Sequence, residues 1–381
     1  MNYLENTLRY SNDEAFARDA LYQKVFNGTA YAHPEDGFIE SVKSIRLEDI
    51  QRFYNGHFTN DNVVIGVGGG YKSDLPGTLQ GLLRELPGPV TEKSDGPAGM
   101  PDRSVERDEA SSINFVPLKE SSARGHQITL IEKETRSTAI SIGFPIDVRR
   151  GEKDFYSLWI ANSWFGEHRN SSSHLFQVIR ETRGLNYGDY SYIEYFPNAW
   201  AHRFSPSNAA RSRQIFEIWI RPVQNVHAHF TLRAAVRELE NLAENGLSEE
   251  DFETTTKFLK KYHLHYAPTT SERLGYKIDD SFYGIEDHLS VLPRMLDELT
   301  PADVNEAVKR HIQYKNLQIA MVTENAAVLK KALVGNVPSP IKYDNPKPDE
   351  ILEEDKQIVV YPLLINEENV KIVKAEEMFV G

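Results

Sequence analysis

The sequence predicts an α+β protein of two homologous, duplicated units, each an antiparallel-rich sheet packed with helices, the first shortened at its N-terminal side. Three observations predict it. One helix-to-strand pattern occurs twice, and short β-branched runs are interspersed with amphipathic stretches of helical length. The length of 381 residues, with 40% apolar and 26% charged side chains, is that of a globular chain of two or three units.

Placing Asp49 on Asp303, an offset of 254 residues, aligns Asp-Ile-x3-Tyr-x2-His-Phe-x3-Asn-Val-x-Ile-Gly-Val with Asp-Val-x3-Val-x2-His-Ile-x3-Asn-Leu-x-Ile-Ala-Met without a gap. Asp49/Asp303, His57/His311, Asn62/Asn316 and Ile65/Ile319 are identical, and the apolar positions between them match in kind. Any helix–turn–strand unit resembles another to some degree, but shared His and Asn, which are rarer residue types, favour duplication. If the second unit starts near Gln127, the first copy has far less sequence ahead of it than the second. A complete first unit would then need about 128 more residues before Met1.

The elements follow in order. Residues up to about Phe26 read as helix, stopped by Asn27-Gly28, and a second helix covers residues 47–58. The run Val63-Val64-Ile65-Gly66-Val67 reads as a buried strand, ended by Gly68-Gly69-Gly70, with a helical stretch near residues 79–86 beyond it. Residues 87–120 are rich in Pro, Gly, Ser and charge and read as a linker. Strands at 128–132 and 138–144 lead into a helix at 153–164, and a Ser-rich break at Ser171 to Ser173 opens a helix at 175–182 that Gly184 ends. Strands at 187–196 and 214–221 precede amphipathic helices at 230–244 and 249–266. The acidic tail after Pro340 carries two β-like runs, 358–364 and 370–373. The expected division is 1–90 for the end of the first unit, 91–125 for the linker, 126–340 for the second unit and 341–381 for a tail packed on the body.

Composition excludes several functions. A net charge of −13 opposes a phosphate-binding surface, which needs clustered Lys and Arg, so nucleic acid is not an expected partner. No run of apolar residues is long enough to span a bilayer. The absence of cysteine excludes disulfides, thiolate metal sites and a Cys nucleophile, yet assigns no compartment, which stays open between cytoplasmic and exported.

The segment with most chemical content is Ser171-Ser172-Ser173-His174-Leu175-Phe176-Gln177-Val178-Ile179-Arg180-Glu181-Thr182-Arg183-Gly184-Leu185-Asn186-Tyr187-Gly188. With its Ser-x-Leu-Phe helix, Arg-Glu pair and Gly-Leu-x-Tyr turn, it resembles the C-terminal domain of the insulinase/pitrilysin family of zinc peptidases. The resemblance covers nearly the whole chain, and that family's duplication agrees with the repeat. It implies that Arg180 and Tyr187, seven residues apart, reach across a closed chamber to the substrate carbonyl. A guanidinium and a phenol are suited to donating hydrogen bonds to a developing oxyanion. On the residues alone, Arg180 reads equally as a surface helix residue and Tyr187 as strand core.

The family binds zinc through His-x-x-Glu-His, whose Glu is the general base, and a distant Glu as third ligand. No His-x-x-Glu-His occurs here. Trp164-Phe165-Gly166-Glu167-His168 has Trp in the first position and reads as a helix end. By the resemblance, Glu5 stands as the third zinc ligand, because it precedes Tyr31 by the 26 residues that separate ligand and turn aromatic in the family. Glu14 is the alternative, and an exposed carboxylate on a frayed helix is the plain reading of either. The chain alone is expected not to hold zinc stably. His227/His229 and His263/His265 point to different sides of a helix and are no natural chelates, and Gly66-x-Gly68-Gly69-Gly70 reads as a sheet-edge turn.

These readings imply a fragment or subunit of a zinc metalloendopeptidase that supplies the substrate-binding, oxyanion-stabilising side and is inactive alone. Its expected partners are a peptide or protein substrate and a zinc-bearing subunit or missing N-terminal segment. A non-catalytic partner or scaffold subunit of a heterodimeric peptidase of the same family is the other reading.

Overall fold

The computed structural model describes residues 2–88, 125–197 and 202–381. The expected linker therefore lies, apart from Gly125, outside the described residues. The chain opens with a π-helical segment, Tyr3–Leu8, and the single turn α1 (Arg9–Ser11), then enters α2 (Asp13–Val25), whose N-cap Asn12 accepts from the Ala15 N–H at 3.1 Å. Next come α3 (Ile39–Ser44), α4 (Leu47–His57) and α5 (Leu75–Leu83). After them lie β1 (Gln127–Glu132), β2 (Ser137–Ile146), α6 (Lys153–Gly166), a π-helical turn (Phe176–Glu181), β3 (Asp189–Tyr192) and β4 (Gln214–Gln224). The helices α7 (Ala228–Asn245), α8 (Glu249–Tyr262), α9 (Thr270–Tyr283), α10 (His288–Glu298) and α11 (Pro301–His311) precede β5 (Gln318–Thr323). Then follow α12 (Ala326–Val334), α13 (Asp349–Val360) and β6 (Val370–Lys374).

The strands form one mixed sheet in the order β3-β4-β2-β5-β1-β6. β1 runs parallel to β5 and β6, and the other neighbours are antiparallel. Near-continuous apolar runs make the central strands, as burial on both faces requires. One face carries α6, α7 and the later helices over a core that includes Ile140, Ile142, Ile218 and Phe230. The opposite face carries α2, which lays Phe16, Ala17, Ala20 and Leu21 against Ile131, Ala139, Ile215 and Val322. Each of the larger apolar side chains among these, such as Phe16 and Leu21, contributes roughly 1.5–3 kcal/mol on burial. Met378 and Phe379 join this second core, and Phe379 meets the Phe16 ring edge-on at 5.9 Å.

Most expected elements form within a few residues of their predicted bounds. Residues 63–67 differ: expected as a buried strand, they pair with no strand among the described residues, and Val63, Val64, Ile65 and Val67 are exposed. A strand exists only where neighbours accept its backbone hydrogen bonds. Residues 358–360 close α13 instead of starting a strand, because the preceding stretch sustains a helical period from Asp349.

Candidate functional site

The sheet ends at β3, and there α2, residues 30–36 and strands β3 and β4 enclose a cavity of about 450 Å³. Arg18 anchors the helix side. Its Nε donates to Glu217 Oε1 at 2.9 Å and its Nη2 to the Phe196 carbonyl at 2.8 Å, with Tyr22 Oη also donating to Glu217 at 2.7 Å. The Glu217 charge is thus fully paired although its side chain is buried.

The walls have opposite charge. Glu14, Asp19, Glu35 and Asp36 come from the N-terminal elements, and Arg169, Arg211 and Arg221 from the other side. Asp19 is pushed up to about 7, chiefly by burial, with Arg18 opposing and Glu35, Asp36 and Glu217 adding to the rise. Burial also raises the Glu14 carboxyl, against the pull of Arg221 at 3.3 Å. The Arg211 guanidinium lies between the rings of Tyr31 and Tyr195, 4.3 and 3.8 Å from their centroids. Such a groove presents donors, acceptors and flat aromatic surface together, which suits a peptide backbone and its side chains.

The segment containing Arg180 and Tyr187 lies at the same end of the sheet. Leu175 and Ile179 are buried core residues, which fixes the helical turn before them. The turn is π-helical, with the Thr182 N–H donating to the Gln177 carbonyl at 2.9 Å, and a π-turn swings its last side chains away from an α-helical course. Gly184 leaves it at φ +70°, a conformation that costs glycine little. The following loop is pinned to β4: Asn186 Nδ2 donates to the Arg221 carbonyl at 3.0 Å, and the Arg221 N–H to the Gly188 carbonyl at 3.2 Å. A Cβ on Gly188 would meet the Tyr190 phenol, so a larger residue there would have to displace that ring. The result is that Tyr187 is 78% exposed on a rigid loop two residues ahead of β3, whose own tyrosines, Tyr190 and Tyr192, are buried. Arg180 lies over the Phe176 ring, 5.1 Å from its centroid, and is ion-paired with Glu181. Its charge also reaches buried Asp189, whose carboxyl burial holds well above its usual range.

Glu5 sits on the Tyr3–Leu8 segment, half-exposed and 3.0 Å from Lys43 Nζ, whereas Glu14 lines the cavity. Neither Glu5, Arg180 nor Tyr187 is among the cavity-lining residues. Among the described residues no group of three or more His, Asp or Glu side chains has a geometry that holds a metal. A lysine-paired Glu5 does not make a zinc site by itself, and these residues alone do not fit the ion. The stretch from Trp164 to His168 closes α6: Trp164 stacks on His174, Ser163 and Tyr266 donate to Glu167, and His168 Nδ1 lies 2.7 Å from Tyr192 Oη. Sequence reasoning missed Arg18, Asp19, Arg211, Glu217 and Arg221. They come from distant stretches that only the packing of α2 on β4 brings together, so no local motif marks them.

Among known proteins, an uncharacterized zinc protease of Mycobacterium tuberculosis is 24% identical over 311 residues, 81% of this chain and 62% of the relative. An uncharacterized zinc protease of Streptomyces coelicolor is 24% identical over 238 residues, 61% of this chain and 44% of the relative. This chain therefore spans about three fifths or less of the length of these curated relatives. In fold it matches the crystal structure of a peptidase M16 inactive domain from Pseudomonas fluorescens with a TM-score of 0.64 at 21% identity, covering 85% of this chain and 69% of that one. A protease from Helicobacter pylori matches with a TM-score of 0.60 at 15% identity, covering 80% and 66%. Residues 44–259, more than half of the sequence, match the family profile described as the peptidase M16 inactive domain, and the chain belongs to the M16 family of zinc peptidases, the insulinase/pitrilysin metallopeptidases.

Proposed function

We propose that this chain is the substrate-clamping side of an M16 zinc endopeptidase and that the zinc-binding helix comes from a zinc-bearing partner subunit or from a missing N-terminal segment, since His-x-x-Glu-His is absent from its sequence. The observation that carries the reading is the exposed Tyr187 phenol on a pinned loop, with Arg180 in the turn before it. An exposed tyrosine on a rigid loop carries surface a stable core does not need, and it is free to meet a ligand. On this reading residues 1–90 and 126–340 are the two homologous units, residues 91–125 join them and residues 341–381 pack on the second. A peptide adds along β3, where the sheet ends among the described residues, and its side chains enter the charged groove beside α2.

Arg180 and Tyr187 act on the scissile carbonyl. As its carbon becomes tetrahedral, the Tyr187 O–H and Arg180 N–H groups donate to the oxygen that gains negative charge. Arg180 must turn from Glu181 to do so. Glu5 is the residue of this chain that would ligate zinc beside the ligands of a His-x-x-Glu-His helix, and the ion would supply an activated water there.

The test is cleavage of a quenched fluorescent peptide by this chain alone and after addition of a polypeptide bearing His-x-x-Glu-His. Activity only in the mixture, abolished by chelator, is expected. In that mixture Tyr187→Phe lowers kcat by about 10- to 100-fold with KM little changed. Chelator-sensitive cleavage by the chain alone overturns the reading, and an unchanged kcat in Tyr187→Phe favours the non-catalytic scaffold.

A further inference from the structure

Asn27-Gly28, the pair that follows α2, is one of three Asn-Gly pairs in the sequence, with Asn55-Gly56 and Asn245-Gly246. In such a pair the asparagine side-chain carbonyl lies one five-membered ring away from the glycine nitrogen, and glycine has no Cβ to hinder the approach. Ring closure then requires a glycine nitrogen that is free to turn toward the side chain. Gly56 lies within α4, where the helical ladder engages its N–H and helical dihedrals hold the backbone. The Gly246 N–H donates to the Leu242 carbonyl at 2.8 Å, and Asn245 Nδ2 donates to Asn241 Oδ1 at 2.6 Å. Gly28 differs. Among the described residues neither its N–H nor the Asn27 side chain has a hydrogen-bond partner, and both residues are exposed. Nothing lies within 4 Å of where a Gly28 Cβ would stand.

We infer that Asn27-Gly28 is a site of spontaneous covalent modification, where the asparagine converts to aspartate and to its β-linked isomer, and that the β-linked form loosens the wall of the charged cavity. The Gly28 nitrogen gives its proton to solvent base and bonds to Asn27 Cγ. The Cγ–Nδ2 bond breaks, and that nitrogen leaves as ammonia with a proton from water. Water then opens the resulting imide at either carbonyl. Opening at the main-chain carbonyl routes the backbone through Cβ and Cγ, which adds one methylene between Asn27 Cα and the Gly28 nitrogen. The turn so lengthened stands at the root of the cavity wall. The Thr29 N–H and Oγ1 both donate to the Phe26 carbonyl, at 3.0 and 2.7 Å, and Thr29 Oγ1 accepts the Tyr31 N–H at 3.2 Å. Phe26 is fully buried, and Tyr31 holds the Arg211 guanidinium 4.3 Å from its ring centroid. A longer backbone between Phe26 and Thr29 cannot keep both ends of this turn in place. The 30–36 wall therefore shifts, while α2 stays anchored by Phe16, Ala17 and Leu21.

The test is incubation of the full chain in warm, mildly alkaline buffer followed by peptide mapping with mass spectrometry, beside a synthetic peptide of residues 20–34 as the unstructured reference. Asn27 is expected to convert at close to the peptide's rate, and Asn55 and Asn245 at least about 10-fold more slowly, because each must first open a backbone hydrogen bond. Conversion of Asn27 as slow as that of Asn245, or of all three alike, overturns the site. For the consequence, converted chain is compared by hydrogen exchange with freshly purified Asn27→Asp, which carries the new charge without the added methylene. The Thr29 and Tyr31 amides are expected to lose protection in the converted chain and to keep it in Asn27→Asp and in Asn27→Gln. Equal protection in the converted and the starting chain, or equal loss in Asn27→Asp, overturns the loosening of the wall. Neither measurement involves peptidase activity, so the proposed function stands or falls separately.

Discussion

Tyr187 and Glu167 show how differently single residues can be read. The Arg180-to-Tyr187 spacing is legible because it is local, and a turn encodes itself in consecutive residues. Glu167 stands in a stretch that resembles a metal motif, yet its chemistry depends on Ser163, Tyr266 and burial, which the sequence does not display. Burial pushes its carboxyl up to about 7, with the hydrogen bonds from Ser163 and Tyr266 opposing. The folded protein thus binds this proton more tightly than the unfolded chain does. That contribution to stability is complete below about pH 4 and is lost as pH rises through about 7. Thermal melts across this range, compared with Glu167→Gln, test it: the native protein is expected to lose stability relative to the variant as pH rises, and parallel curves would assign Glu167 an ordinary pKa.

Among elements, helices were the more legible, because their caps and apolar periods are local. The helix at 47–58 was readable from Asp49 and its period even though nothing described buries its apolar face. The strand expected at 63–67 was not a property of those residues, since a strand is completed by its neighbours. The π-character of Phe176–Glu181 was also invisible, since its residues read as an ordinary helix. Elements are further tied by buried ion pairs that no pattern marks. Arg150, after β2, bonds Glu194 beyond β3 at 3.0 Å and Asp279 on α9 at 2.9 Å. Arg150→Met leaves two buried carboxylates without their cation, at an expected cost of about 3–5 kcal/mol in urea denaturation. Glu194→Gln in that background should recover part of the loss.

At the scale of the molecule, duplication was legible from four identities across the repeat, and its offset holds for both helices. The sharing of a core between α2 and the six-stranded sheet was not, because it joins Phe16 and Leu21 to residues as distant as Ile131, Ile215 and Val322. The same core holds Phe379, and the Ile39 and Glu40 N–H groups donate to the Phe379 and Val380 carbonyls. Phe379→Ala is expected to cost about 3–5 kcal/mol and to lower the melting temperature. It should also speed proteolysis within α2, the helix that loses its cover; unchanged cleavage there would show the two are not coupled. This stitching has a consequence for biosynthesis. The apolar face of α2 cannot close fully until Phe379, far later in the sequence, has been made. Nascent protein is therefore expected to need chaperone shielding of α2 throughout translation.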